Sequence, residues 1–456
     1  MFTKPKHVHF VGVGGIGVSG LAKLMHELGV SVSGSDDAAS GITDEVASFG
    51  IGVSIGHDAG NVPADCDLLV YSEAVPGENP ERVEAAKRGI RRLAAAEFLG
   101  EYTKEMRTIA VSGTNGKSTT TAMIGLILER AGLDPTVIVG SKVPAFPLGN
   151  VRVGKSDLLV LEADEYRAKY LNYSPWMIVL TNIEEDHLDF YTGLPEIAET
   201  FDKYLTHLKP GGKVILNADD QVSTHELHSA VRPTTYGIAH EADRRATHIS
   251  VAHGEQRFEV TDADSDLGEF VLKIPAKFNI ENALAAISAA LELDVPLETV
   301  REALAAFGGI WRRFEVVGQC NGATVVSDYG HHPTALRLTV AAAREFYPHR
   351  RIVLVFQPHQ HNRTARFFED FVSALHLPDL SIVSDIYHVK GREETSDISS
   401  RDLVASAGRP EAVVYGGNLD ETKKLAISLV RPDDVVIVMG AGDIDELARE
   451  IVRCES

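Results

Sequence analysis

The feature that most restricts the fold is a short apolar strand running through glycines into a helix. It appears first at Val8, in "VHFVGVGGIGVSGLAKLMHELG". The unit recurs along the chain. "VSVSGSD" ends at Asp36 and is followed by "DLLVYSEAVP" and the helical stretches "ERVEAAKRG" and "EFLGEYTK". A second series opens with "RTIAVSG" and the helix "TTTAMIGLILERAG", then runs through "DLLVLEAD", "MIVLTNI" and "GGKVILNADD". A third starts near Trp311 and carries "ATVVSDY", "RIVLVFQPH", "LSIVSDIY", "EAVVYGG" and "DVVIVMGAGD". Apolar strands alternating with helices predict parallel sheets covered on both faces, an α/β fold. The acidic stretch "VAHGEQRFEVTDADSDLGEFVLKI" reads instead as antiparallel strands, inserted before helices that start near Asn279. The 456 residues suffice for about three domains at ~150 residues each, and the pattern divides them at 1–104, 105–310 and 311–456.

Charge and cysteine usage narrow the class. A formal net charge of −21 argues against a general nucleic-acid or membrane-surface binder, since both partners are anionic. The three cysteines, Cys66, Cys320 and Cys454, are far apart, which suits a reducing compartment without a disulfide framework. The basic start "MFTKPKHVHFVGVGG" is better read as the first strand and loop than as a signal peptide. No run of about 18 apolar residues is present, and a cytoplasmic location is expected.

Two glycine loops carry the chemistry. Gly12, Gly14 and Gly17, with Gly15 between them, fit G-x-G-x-x-G. Such a loop directs free N–H groups and a helix dipole at a phosphate. Asp36 ends the next strand, where ribose recognition is expected. Phosphate and ribose are all this motif reads, so NAD, FAD and a UDP-sugar satisfy it equally. Tight packing of helix on strand would explain the same glycines with no ligand. "SGTNGKSTTT" is sharper. Gly113 and Gly116 open the loop, Lys117 can reach β- and γ-phosphates, and Ser118 can ligate Mg²⁺. Its G-x-x-G-K-S spacing is shorter than that of standard P-loops.

Acidic groups follow. "VLEADEY" sets Glu162, Asp164 and Glu165 at the end of an apolar strand. "LTNIEEDHLDFY" presents Asn182 and His187 after the next one. Both ends should lie on the carboxyl edge where α/β proteins bind ligands. Glu162 with Ser118 would suffice for one Mg²⁺, with His187 joining a second ion. In isolation such acids are more often solvated turn residues.

Together these segments resemble the Mur ligase family, ATP-dependent enzymes that add amino acids to the peptidoglycan precursor. The resemblance covers the whole chain. It rests on "HFVGVGGIGVSGLA", "GTNGKSTTT", "EADE", "TNIEEDHLD", "RRFEVVG", "DYGHHPT", "FQPHQHNRT" and "GAGDI", and it points to the alanine-adding branch. It implies a Rossmann-like nucleotide-sugar domain, a central P-loop-type ATPase domain and a Rossmann-like C-terminal domain. The substrates implied are UDP-N-acetylmuramate, ATP with Mg²⁺, and L-alanine, acted on by a monomer or homodimer. Closure of the three domains around them is implied as well.

By the same resemblance, Gly12, Gly14, Gly15, Gly17, Asp36 and Ser72 would bind the UDP-sugar. Gly113, Thr114, Asn115, Gly116, Lys117, Ser118 and Thr119 would cradle ATP, with Asn279 and Asn282 of "KFNIENA" at the adenine. Arg313 would contact its phosphates and Asp328 its ribose. Lys117, His187 and Arg313 would be catalytic, and Ser118, Glu162 and His187 would hold metal. Tyr329, His331, His359 and Arg363 would receive the amino acid. Phe201 stands where ligases adding later residues carry a modified lysine. Three positions depart from the family pattern. Asn115 replaces a histidine, Tyr166-Arg167 replace Ser-Asp, and Gln360 replaces an arginine.

Three alternatives remain open at this point. A recycling ligase attaching a tripeptide to the same sugar nucleotide shares the tyrosine after "EADE" but lacks "FQPH". A nicotinamide oxidoreductase leaves "GTNGKS" unexplained. A zinc or regulatory protein using "GHHP" and "HQH" lacks cysteines or a spaced partner.

Overall fold

The computed structural model describes residues 4–187, 190–252, 254–263, 265–388 and 398–453; Leu188 and Asp189 of the "DHLDF" motif, and Cys454, lie outside the described residues. They form two compact units. One holds the residues up to 248 with 259–270 and 278–305, the other 249–258, 271–277 and the residues from 306 onward. Among the described residues no helix is long and apolar enough to cross a membrane.

The first sheet contains β1 (His7–Val11), β2 (Ser31–Asp36), β3 (Gly52–Ile55), β4 (Leu68–Tyr71) and β5 (Arg91–Ala94), all parallel, in the order β3-β2-β1-β4-β5. Central β1 is buried on both faces, Val8 and Phe10 on one and His9 and Val11 on the other. The helix Ile16–Glu27 starts at Gly15 and buries Val18, Leu21, Ala22 and Met25, an i, i+3, i+4, i+7 stripe. Each large apolar side chain so buried contributes roughly 1.5–3 kcal/mol.

The second sheet comprises β6 (Arg107–Ser112), β7 (Thr136–Ile138), β8 (Val151–Arg152), β9 (Leu158–Glu162), β10 (Met177–Leu180), β11 (Lys213–Asn217), β12 (Thr234–Gly237), β13 (Arg244–Ala252), β14 (Glu255–Asp262) and β15 (Ser265–Leu272). Their order is β15-β14-β13-β12-β11-β10-β6-β9-β7-β8. Neighbours β13, β14 and β15 are joined by two-residue links, which only antiparallel pairing permits, so the insertion has the form its sequence predicts. β6 lies between β9 and β10, parallel to both. Val111 pairs with Glu162 and Ser112 with Leu180. The loops after these three strands therefore leave one edge together.

The third sheet holds β16 (Glu315–Cys320), β17 (Ala323–Asp328), β18 (Ile352–Phe356), β19 (Leu380–Ser384), β20 (Val413–Gly417) and β21 (Val435–Met439), ordered β16-β17-β21-β18-β19-β20. All its pairs are parallel except β16 with β17. Asp328 and Phe356 both pair with Met439. The loops carrying Tyr329 and His359 thus emerge side by side.

Candidate active site

β6 delivers the lysine loop into the helix Lys117–Arg130, whose N-cap is Gly116 at φ 84°. That conformation is open to glycine at little cost. The loop is held from the neighbouring strand ends. Thr181 Oγ1 donates to the Asn115 carbonyl at 2.6 Å, the Asn115 N–H donates to Asn182 Oδ1 at 2.9 Å, and Glu184 N–H donates to Thr114 Oγ1 at 2.9 Å. Lys117 Nζ donates to the carbonyls of Gly113 (2.6 Å) and Thr114 (3.1 Å) and to Glu165. Ser118 and Thr119 follow, partly buried, in the first helical turn. Over the loop sits the helix Lys277–Leu291. Its Asn282 accepts from Thr120 Oγ1 at 3.2 Å and donates to Asn279 Oδ1 at 3.1 Å.

The acidic groups separate into two places around Lys117. Glu162 accepts from the Gly140 N–H at 2.6 Å. Burial pushes its carboxyl up, against the opposing pull of Lys117, Gly140 and Ser118. His187, at φ 55°, lies instead with Asp164 and Glu165, one atom of each within 4.8 Å of the others. That is the single cluster of three or more such ligand groups among the described residues. His187 Nε2 is 3.5 Å from Glu165 Oε1, and the hydrogen bond to Glu165 raises its pKa. The Tyr166 ring stands 4.7 Å from the imidazole. Phe201 is buried in the core, its ring stacked 5.0 Å from that of Tyr170. Glu165 as the partner of Lys117, and Gly140 as that of Glu162, were not legible in the sequence. Glu165 gave no signal beyond membership of the acidic run.

Within the same unit, the first glycine loop borders a cavity of about 620 Å³, lined by Gly12, Gly15, Asp36, His57, Ser72 and Asn79 among others. Gly12, at φ 84°, passes so near that a Cβ would stand 2.9 Å from the Cβ of Ser72. The Asp36 carboxylate accepts from the Gly14 N–H at 2.8 Å and so shapes the loop itself. Gly17 is exposed, with open space at its Cβ position. Within the helix it is Gly20, not Gly17, that packs closely, a Cβ there standing 3.0 Å from Asn150 Nδ2. Behind His57 is a buried hub absent from the sequence reading. Glu81, fully inaccessible, accepts from His9 Nε2 (3.0 Å), Ser35 Oγ (2.5 Å), Asn61 Nδ2 (2.9 Å) and His57 Nδ1 (3.2 Å).

In the other unit, β17 and β18 bring together the four residues expected at the amino acid. The rings of Tyr329 and His331 lie 5.4 Å apart, and those of His331 and His359 5.6 Å. Arg363 NH1 donates to His359 Nδ1 at 3.2 Å. Burial, with Arg363 nearby, lowers His331 to about 4. Arg312 is buried while Arg313 is exposed, its guanidinium 5.5 Å from the Tyr329 ring centre. Asp328 accepts from the N–H groups of Phe314 and Gly330 at 2.9 and 2.8 Å.

Comparison with known proteins covers nearly the whole chain. Residues 7–107 match the model described as "Mur ligase family, catalytic domain", residues 111–290 the Mur ligase middle domain, and residues 312–442 the "Mur ligase, glutamate ligase domain". A UDP-N-acetylmuramate–L-alanine ligase of Geobacter sulfurreducens is 40% identical over 449 residues, 97% of this chain and 96% of that protein. One of Trichlorobacter lovleyi is 38% identical over 99% of this chain and 100% of its own length. Among solved structures, the UDP-N-acetylmuramate-alanine ligase of Thermotoga maritima superposes with a TM-score of 0.85 at 29% identity, covering 98% of this chain and 99% of that one. A murein peptide ligase of Psychrobacter arcticus shares the fold, with a TM-score of 0.68 at 24% identity over 98% of both chains.

Proposed function

The chain belongs to the Mur ligase family, and from that premise we infer that it joins L-alanine to the lactoyl carboxylate of UDP-N-acetylmuramate at the expense of ATP. The relatives that carry this substrate pair in their names match it over nearly their whole length. One structural observation carries the reading. Two glycine loops of different kinds lie in one unit, the first opening on a cavity and the second setting a lysine among carboxylates. An oxidoreductase has use for the first alone.

The chemistry follows from the substrates. A carboxylate is a poor acyl donor because its leaving group would be oxide. Transfer of the γ-phosphoryl group to it gives an acyl phosphate and ADP. The neutral amine of alanine then attacks the acyl carbon, and the C–O bond to phosphate breaks, leaving amide and inorganic phosphate. Such a reaction depends mostly on positioning and on stabilising charge. In this reading Lys117, with the backbone from Gly113 to Thr119, binds the triphosphate. Asn279 and Asn282 serve the adenine, and Arg313 and Asp328 the phosphates and ribose. Gly12, Gly14, Gly15, Gly17, Asp36 and Ser72 hold the UDP-sugar. The division at 104 and 310 follows the strand and helix pattern, and Arg313 and Asp328 would serve ATP from beyond the second boundary.

The donor set fits Mg²⁺. A desolvated carboxylate, Glu162, faces the Ser118 hydroxyl and the Lys117 ammonium, an oxygen-rich pairing that suits a hard cation. Ser118 and Glu162 would hold the ion and His187 a second one, neutralising charge on the phosphate oxygens. Phosphate release with UDP-N-acetylmuramate, ATP and a panel of amino acids tests the function. L-alanine should be preferred. Preference for glycine, serine or a tripeptide, or no release at all, overturns it.

A further inference from the structure

Lys117 and Glu165 make a contact that the proposed ATP site has to undo. An ammonium has three N–H donors, and all three are taken. The carbonyls of Gly113 and Thr114 lie 2.6 and 3.1 Å from Nζ. Both carboxylate oxygens of Glu165 crowd the remaining side, at 3.0 Å for Oε1 and 2.8 Å for Oε2. The two carbonyls belong to the loop and move with it. Glu165 reaches in from the strand end beyond β9, and its carboxylate is the one anion among the three partners. Its backbone carbonyl accepts from the Tyr191 hydroxyl at 2.6 Å and from the Ala168 N–H at 2.9 Å, so a turn of its own side-chain torsions is enough to take the carboxylate off Lys117. Its side chain is 4% exposed, and that of Lys117 14%, so water does little to screen the pair.

We propose that Glu165 is a positioning residue for the phosphoryl-transfer step, occupying on Lys117 the place that a phosphate oxygen of the bound nucleotide takes. This rests on the reading of the lysine loop as the ATP site. Binding is then an exchange of one anion for another on the same ammonium. His187 Nε2 stands 3.5 Å from Glu165 Oε1 and is a partner toward which the displaced carboxylate can turn. Two consequences follow. The contact holds Lys117 folded back on its own loop, and it opposes every ligand whose phosphate reaches Nζ. A ligand lacking that phosphate meets no such opposition.

The test is equilibrium binding without turnover. A non-hydrolysable ATP analogue and AMP are titrated by calorimetry against the full chain and its variants at fixed Mg²⁺. A charged hydrogen bond of this kind is worth roughly 1.5–3 kcal/mol, so Glu165→Gln should tighten the analogue at least tenfold and leave AMP unchanged. Glu165→Asp, which retracts the carboxylate by one methylene, should shift the analogue in the same direction. In a Lys117→Met background, Glu165→Gln should have no effect on the analogue. Unchanged or weaker analogue binding by a folded Glu165→Gln chain overturns the proposal, as does equal tightening in the Lys117→Met background. If the wild-type chain fails to bind the analogue, the reading of the loop falls first and this proposal with it.

Discussion

Gly116 and Asn282 are in direct apposition, so that a Cβ built on Gly116 would stand 2.2 Å from the Asn282 side-chain oxygen. The lysine loop and the helix Lys277–Leu291 are therefore fitted to each other at one point, which also lies at the left-handed N-cap of the helix Lys117–Arg130. Gly116→Ala brings both a strained backbone, costing on the order of 1–3 kcal/mol, and this collision. Urea unfolding should register the loss of stability, and the KM for ATP should rise about tenfold or more. Adding Asn282→Ala removes the collision but not the backbone strain. Partial recovery of stability in the double variant is the expected sign of coupling, and strict additivity would refute the contact.

Lys117 has a structural as well as a chemical part. Removing it strands Glu165, whose side chain is 4% exposed, and an uncompensated buried charge is costly. Lys117→Ala should abolish phosphate release and also lower stability by roughly 1–3 kcal/mol. Lys117→Ala/Glu165→Gln should restore the stability without the activity. A Lys117→Ala chain that unfolds at the wild-type urea midpoint would show the ion pair to be without weight.

The long apolar strands and both glycine loops were legible because each is a local pattern. β1, β6, β9, β10, β18 and β21 all lie where runs such as "VHFVGV" and "DVVIVMG" place them. What escaped was short or non-local. β3 and β5 are four-residue edge strands of the first sheet, and half-exposed sequences such as "RRLA" lack a full apolar stripe. Gly12 and Gly14 of the motif are closely packed, but Gly17 has open space at its Cβ position, and the close approach of Gly20 to Asn150, 130 residues away, has no signal in the spacing. Asp36 is expected from the motif to read a ribose; what the structure shows is its carboxylate bracing Gly14. Lys117–Glu165 and the Glu81 hub depend on which strands lie side by side, and no spacing encodes that.

Glu81 makes stability pH-dependent in acid. Burial would raise its carboxyl, but hydrogen bonds from His9, Ser35 and Asn61 outweigh that and hold it at about 2, against an ordinary 4.5. A folded-state value below the unfolded one stabilises the native chain above the unfolded pKa, and that contribution is lost as the pH falls through the folded one. At 1.36 kcal/mol per pH unit, about 3 kcal/mol should disappear between pH ~4.5 and ~2. Urea midpoints across that window should fall more steeply for wild type than for Glu81→Gln. Parallel curves would assign the acid sensitivity elsewhere.

The last prediction concerns the amino-acid pocket, proposed at Tyr329, His331, His359 and Arg363. An incoming alanine brings a carboxylate, which a planar guanidinium pairs well, and an amine that must be neutral to attack. Arg363 supplies the guanidinium. Its NH1 lies against His359 Nδ1 at 3.2 Å, where it must meet a lone pair, which leaves the His359 Nε2 as the ring's N–H. His331, at about 4, stays neutral throughout the physiological range; so weak a base is suited to orienting the amine by a hydrogen bond rather than to removing its proton. Acidification from pH 7 to 5 should therefore leave the state of His331 unchanged, and any loss of activity there belongs to other groups. Gln360 stands at the head of the helix His361–Arg366 with φ 69° and ψ 132°, a conformation that a non-glycine residue holds only under strain. It sits between His359 and Arg363 and can give alanine a neutral hydrogen bond, about half as strong as a charge-assisted one. Gln360→Arg should then lower the KM for alanine with little change in kcat, the signature of added uniform binding. Arg363→Ala should raise that KM by roughly ten- to a hundredfold, the loss of a charged hydrogen bond, with the KM for ATP unchanged. Steady-state kinetics with each substrate varied in turn decide the matter, and alanine kinetics untouched by Arg363→Ala would move the pocket elsewhere.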